Sequence, residues 1–250
     1  MLMTRGSSPD LPFRWVVVQA QDWPEIVTGE APRGLLSEAE QRALADLRFV
    51  RRRRKWLLGR LAAKSLLQEV EMGRTGRRLE ASSLAIFNEP DGAPYAVVSG
   101  DGRLPYPISI SHRVDWGVAA TGMAPVRALG IDVETVEPRE IDWCEDYFVT
   151  REMDAVRASG GLRDRVVATI WSAKESVVKA LGVGLRMDLR EIEVRGPIDW
   201  SSSWTSANDW VALDVQSKYL AKSGNVVSAY AMQADPYVLT AVVISGPQAP

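Results

Sequence analysis

The sequence predicts an α+β protein built from two similar halves in one chain, residues 1–124 and 125–250. Three observations carry this expectation. Runs rich in β-branched residues, such as "FRWVVVQA" at 13–20 and "YVLTAVVI" at 237–244, read as strands. Residues 163–181 place Val166, Val167, Ile170, Trp171, Val177, Val178 and Leu181 on one helical arc. The order strand, helices, strands then occurs twice, with the change near 122–130, although no repeat is visible in the letters themselves.

The elements follow in order. After the first strand, Ser37 and Glu40 in "SEAE" fit a capping box at a helix start. Leu44, Leu47 and Val50 keep a helical period, the basic run continues it, and "WLLGRLAAKSLLQEV" forms a second helical segment around Gly59. "GRTGRRLEASS" breaks the helix, and "LAIFNEPDGAPYAVV" offers a strand, a turn and an extended exit. "PISISHRVDWGVAATG" reads as a strand pair turning near Arg113–Trp116. In "LGIDVE" the alternation sets Leu129, Ile131 and Val133 on one face and Gly130, Asp132 and Glu134 on the other. A helical piece around "WCEDYFVTREMDAVRA" precedes the 163–181 helix, which Gly182 closes. "EIEVRG", "DWVALDVQ", "VVSAYAMQ" and "YVLTAVVI" complete the strands.

Composition narrows the chemistry. The chain has 250 residues, 46% of them hydrophobic and 25% charged, as in soluble globular proteins. No run of about 18 apolar residues predicts a membrane span, and "MLMTRGSSPD" has no apolar stretch of signal-peptide length. Cys144 is the single cysteine, which fits a reducing, cytoplasmic setting without internal disulfides. His112 is the single histidine, so a Cys/His zinc cluster is excluded. Carboxylates, lysines and arginines are left for chemistry, a set suited to a hard cation and to phosphate groups. Net charge is −2, yet "RFVRRRRKWLLGR" at 48–60 holds seven basic residues and no acid. That stretch attracts anions locally, or forms a solvated helix face.

Two features of this charge pattern need an explanation. Asp132 and Glu134 lie about 6–7 Å apart on one strand face, where like charges repel unless a cation or proton intervenes. In "WSAKESVVKALG" at 171–182, Glu175 and Lys179 are four residues apart on the edge of the apolar arc, while Lys174 falls near its middle. An unpaired ammonium there is costly.

Taken together, "SISH" at 109–112, "GIDVE" at 130–134, "WSAKESVVKALG" and the preceding basic stretch resemble the 4′-phosphopantetheinyl transferases of the larger, pseudo-dimeric Sfp type. Asp132 and Glu175 are 43 residues apart, a spacing typical of that class. The resemblance spans about residues 37 to 195 and implies a pseudo-twofold fold with the active site in the cleft between the halves. It implies Mg²⁺-dependent transfer of the phosphopantetheine arm of coenzyme A to a carrier-protein serine, releasing adenosine 3′,5′-bisphosphate. Asp132, Glu134 and Glu175 match the metal carboxylates, and Lys179 matches the lysine that contacts the diphosphate. Glu175, Asp132 and Lys179 form the catalytic set, with Glu175 or a metal-bound water taking the serine proton. Ser111 and His112 match residues that hold the nucleotide, and Arg48, Arg54, Lys55 and Arg60 fall where the family keeps basic residues near its 3′-phosphate. One departure stands out: "DGAP" places Ala93 where the family turn carries a basic residue. Lys174 either bridges to a site carboxylate or reaches the surface along its stem. The partners implied are coenzyme A and apo acyl or peptidyl carrier proteins, with no nucleic acid or membrane, and a monomer is expected. The competing classes are a weakened coenzyme A-binding homologue, a metal-dependent phosphodiesterase or nuclease, and a nucleic-acid binder using residues 48–60.

Overall fold

The computed structural model describes residues 4–6, 11–196, 209–220 and 225–246. Most of the N-terminal decapeptide, and Trp200 and Trp204 among the nine tryptophans, lie outside these residues. The chain divides into two compact units, residues 1–124 and 125–250, and each is a mixture of helix and sheet.

The first unit contains β1 (Thr4–Gly6), β2 (Phe13–Gln19), α1 (Pro24–Thr28), α2 (Glu38–Asp46), α3 (Val50–Thr75), β3 (Leu84–Asn88), β4 (Pro94–Val98), β5 (Gly102–Arg103), β6 (Ile108–Arg113) and β7 (Trp116–Gly122). One antiparallel sheet runs β1-β2-β7-β6, and β3-β4-β5 forms a smaller one. The core lies between α3 and these sheets, with Leu57, Leu58, Ala62, Leu67 and Leu84 fully enclosed.

Helix α2 begins as expected. Ser37 Oγ accepts from the Glu40 amide, and Glu40 Oε2 accepts from the Ser37 amide at 3.0 Å. The helix then stops, because Leu47 and Phe49 are extended and α3 restarts at Val50. From there α3 runs unbroken through Gly59 to Thr75, and Gly76 closes it at φ +71°. The structure therefore ends the first helix at 47–49, before the basic run that was expected to continue it, and joins that run to the second segment. The reason is a contact between the two helices: Glu40 of α2 pairs with Lys64 of α3. In one continuous helix those residues would stand ~36 Å apart. Gly59 serves packing instead, since a Cβ there would meet Ile110 of β6 at 3.0 Å.

The second unit contains β8 (Val126–Thr135), α4 (Ile141–Tyr147), α5 (Thr150–Ala158), α6 (Arg163–Leu181), β9 (Ile192–Gly196), β10 (Trp210–Ser217), β11 (Val226–Ala234) and β12 (Tyr237–Ser245). Its antiparallel sheet runs β8-β12-β11-β10-β9. Helix α6 covers one face, where Val167, Ile170, Ala173 and Val177 meet Ala229, Ala231, Val242 and Ile244. It ends at Gly182, φ +63°, at the expected place. Among the described residues no helix is long and apolar enough to cross a membrane.

The two units repeat one internal plan that their letters conceal. In the first, Glu40 accepts from the Ser37 amide with Oε2 and from the Ile86 amide of β3 with Oε1. In the second, Glu152 of α5 accepts from the Val149 amide with Oε2 and from the Val194 amide of β9 with Oε1. Each glutamate is the third residue of its helix, and each receiving strand residue is the third of its strand. A buried lysine completes each set. Lys64 meets Glu40 and donates to the carbonyls of Leu35 and Ala81 at 2.8 and 2.9 Å. Lys174 meets Glu152 at 2.8 Å and donates to the carbonyls of Tyr147, Leu189 and Ile192 at 3.1, 2.9 and 2.7 Å. Both lysines are wholly buried.

Candidate active site

The second unit assembles its charged residues where β8 lies under α6. Gly130, Asp132 and Glu134 share one strand face, and that face meets the helix. A Cβ on Gly130 would come within 1.9 Å of the Ser176 carbonyl oxygen, so only glycine permits this approach. Two residues on, the Lys179 ammonium of α6 lies 2.7 Å from Asp132 Oδ1 and also donates to the Ile131 carbonyl at 3.0 Å. After two more, Trp171 Nε1 donates to Glu134 Oε1 at 3.3 Å. The strand and helix thus pair position by position.

A small hydroxyl cluster fixes the register. Thr240 lies opposite Asp132 across the β8–β12 ladder. Its hydroxyl meets Ser172 Oγ at 2.9 Å and Ser176 Oγ at 2.8 Å, both from α6. All three hydroxyls are buried and hydrogen-bonded, as buried polar groups must be.

Glu175 is half-buried between these contacts, and its carboxylate makes no side-chain hydrogen bond or ion pair among the described residues. Burial and then the negative charge of Asp132 push its carboxyl above the ordinary glutamate value, while Lys179 opposes them. Glu134 is engaged on its other oxygen, with Arg139 Nη2 at 3.4 Å from Oε2. Among the described residues no three His, Cys, Asp or Glu side chains already form a metal cage. The donor chemistry nonetheless fits a hard divalent cation. Three carboxylates lie on two adjoining elements, and the charge of one of them raises the proton affinity of another.

Lys174 serves neither role expected of it. It pairs with Glu152 rather than with a site carboxylate, and it is wholly buried rather than reaching the surface. Burial pulls its pKa down and pushes that of Glu152 up. Four oxygens around one Nζ nevertheless match an ammonium with three protons, whereas a neutral amine would turn a lone pair toward them. The pair anchors α6 one residue before Glu175. Glu152 was missed at the sequence level, though its spacing from Val149 repeats that of Glu40 from Ser37.

The nucleotide candidates lie in the first unit. Arg48 is exposed and Lys55 half-buried, and neither side chain makes a hydrogen bond or ion pair among the described residues. Arg54 is paired with Asp115, in the turn between β6 and β7. Arg60 turns inward, with Nε 3.3 Å from Glu40 Oε1 and its guanidinium 4.5 Å over the Trp56 ring. On β6, Ser111 is buried and His112 exposed. The turn with Ala93 is closed by the Ala93 amide donating to Asp91 Oδ1 at 3.0 Å. That turn still carries a cation, because Arg103 of β5 pairs with Glu89 and lies 4.3 Å over the Tyr95 ring.

Known proteins resemble parts of this chain. A family described as the 4′-phosphopantetheinyl transferase superfamily matches residues 128–234. A phosphopantetheinyl transferase of Thraustochytrium is 25% identical over 190 residues, covering 67% of this chain and 62% of that protein. A 4′-phosphopantetheinyl transferase of Bacillus subtilis is 29% identical over 118 residues, covering 47% of this chain and 50% of that one. The chain thus spans between half and two thirds of the length of these two relatives. The crystal structure of a holo-(acyl-carrier-protein) synthase from Bacillus anthracis, in complex with coenzyme A (3′,5′-ADP), matches with a TM-score of 0.37 at 19% identity, over 48% of this chain and 97% of that one. Asp132, Glu134, Glu175 and Lys179 all lie inside the stretch that the 4′-phosphopantetheinyl transferase superfamily matches.

Proposed function

We propose that this chain moves the 4′-phosphopantetheine arm of coenzyme A onto a serine of an apo acyl or peptidyl carrier protein, acting as a cytoplasmic monomer of the Sfp type. The observation that supports this most is the convergence of Asp132, Glu175 and Lys179 where β8 meets α6. In the reaction a bond forms between the serine Oγ and the β-phosphorus of coenzyme A. The bond from that phosphorus to the oxygen bridging the two phosphates breaks, and adenosine 3′,5′-bisphosphate leaves with the electron pair. The serine proton goes to a carboxylate.

Each role follows from surroundings. Lys179 is 28% exposed, so its ammonium can meet a diphosphate oxygen while it stays beside Asp132. Glu175 makes no competing hydrogen bond among the described residues, which leaves it open to accept the serine proton. Mg²⁺, when held by Asp132, Glu134 and Glu175, supplies charge neutralisation for the diphosphate. Arg48 and Lys55 serve the 3′-phosphate ahead of Arg54 and Arg60, because the latter two already have carboxylate partners. Ser111 and His112 hold the nucleotide.

The test uses the full chain, an apo-carrier protein, fluorescent coenzyme A and Mg²⁺. Labelling of the carrier that is lost in Glu175→Ala and with a chelator supports the reading. No labelling of either acyl or peptidyl carriers overturns it.

A further inference from the structure

Arg139 lies in the segment joining β8 to α4, and the roles assigned so far leave it out. Its guanidinium is held loosely. One nitrogen, Nη2, stands 3.4 Å from Glu134 Oε2 and 3.4 Å from Glu137 Oε1. Its Cζ rests 4.5 Å over the Trp143 ring. Its Nε is buried and has no hydrogen-bond partner among the described residues. Arg74 of the first unit shows the contrast, clamping Glu71 through Nε and Nη2 at 2.9 Å each. A two-nitrogen fork is the strong form of this pair. Arg139 instead offers one nitrogen, at long range, to two carboxylates at once.

Those carboxylates differ in kind. Glu134 is 12% exposed and belongs to the proposed metal set, whereas Glu137 is 44% exposed and stands outside it. A cation beside Glu134 relieves the repulsion among site carboxylates. The same cation beside a bound divalent ion would itself be repelled. The two cations therefore compete at Glu134.

We propose that Arg139 is a displaceable counter-ion, holding the charge of Glu134 until a divalent cation takes that carboxylate and then resting on Glu137 and Trp143. This rests on the reading of Glu134 as a metal ligand. The site then keeps its charge balanced when empty, and metal affinity is set partly by a residue that never touches the metal. By reciprocity, whatever strengthens Arg139 on Glu134 weakens metal binding equally.

Calorimetric titration of the full chain with Mn²⁺, with and without coenzyme A, tests this. Arg139→Met binds Mn²⁺ roughly five- to tenfold more tightly than the unmodified chain. Arg139→Lys, which keeps the charge, stays near the unmodified affinity. Glu137→Gln weakens binding, because Arg139 loses its second seat, and has no effect once Arg139→Met is present. Unchanged or weaker binding in Arg139→Met overturns the proposal, as does equal tightening by Arg139→Lys. Glu134→Gln separates the two levels. If it weakens Mn²⁺ while Arg139→Met does nothing, the metal reading stands and the counter-ion fails. If the unmodified chain binds no Mn²⁺ under either condition, the metal reading fails and the proposal falls with it.

Discussion

Lys64 and Lys174 occupy the same place in the two units: each is wholly buried on the long helix, bound to the third residue of the preceding short helix and to main-chain carbonyls. The two differ in what else faces the glutamate. Glu40 has a second cation, Arg60, at 3.3 Å, whereas Glu152 has Lys174 as its ion-pair partner and backbone amides besides.

Lys174→Met should therefore destabilise the fold by about 3–5 kcal/mol, because it strands Glu152 without its counter-charge. Lys64→Met should cost less, since Arg60 still faces Glu40. Pairing Lys174→Met with Glu152→Met should restore much of the loss. Urea unfolding of the variants measures all of these differences, and equal losses for the two lysines would deny Arg60 its part.

Gly130→Ala forces a methyl group into the Ser176 carbonyl and should cost about 3 kcal/mol or more. Gly161→Ala is the control, since a Cβ there meets nothing within 4 Å and the residue is not at positive φ. Thermal unfolding midpoints distinguish the two. A mild effect at Gly130 would mean that α6 slides on β8 more easily than its contacts indicate.

Glu175 carries a pH signature. A carboxyl that binds its proton more tightly in the folded than in the unfolded chain weakens the fold as pH rises from the ordinary glutamate value through its own raised one. Glu175→Gln should accordingly unfold at a higher temperature than the unmodified chain at pH 7–8. That advantage should fade as pH falls below about 4.3. Melting curves across pH in metal-free buffer show it, and an advantage that grows toward acid would contradict the sign.

Cys144 is fully enclosed, and burial pushes its thiol pKa up. In the native state it should resist an aromatic disulfide reagent, reacting at the rate of unfolding. Stopped-flow labelling in increasing denaturant reads that rate, and rapid reaction without denaturant would contradict the enclosure.

Periodicity carried most of the fold. The α6 helix and the alternation in "LGIDVE" were legible because each buries one face at a fixed period. The break between α2 and α3 was not, because it depends on Glu40 meeting Lys64 across 24 residues. Lys174 was visible as an anomaly, yet its partner lay in another helix 22 residues away. For the site, the identities of Asp132, Glu134, Glu175 and Lys179 were readable from motif spacing. Arg139 was not, since one arginine in "VEPRE" has no pattern that distinguishes it from a surface charge. The structure also separates the basic run by function: Arg60 and Arg54 hold the fold together, and Arg48 and Lys55 retain exposed or half-exposed charge.

The paired lysines bear on how such a chain changes over generations. One residue after Lys174 the second unit has Glu175, and five after it Lys179; at the same steps from Lys64 the first unit has Ser65 and Glu69. The residues beside the anchors differ while the anchors are alike. Losing either member of a buried ion pair alone leaves a stranded charge, so every single-step path away from it crosses an unstable intermediate. Surface-facing positions on the same helices meet no such barrier. A protein of this design is held fast where its helices are pinned, whatever charges the neighbouring positions carry.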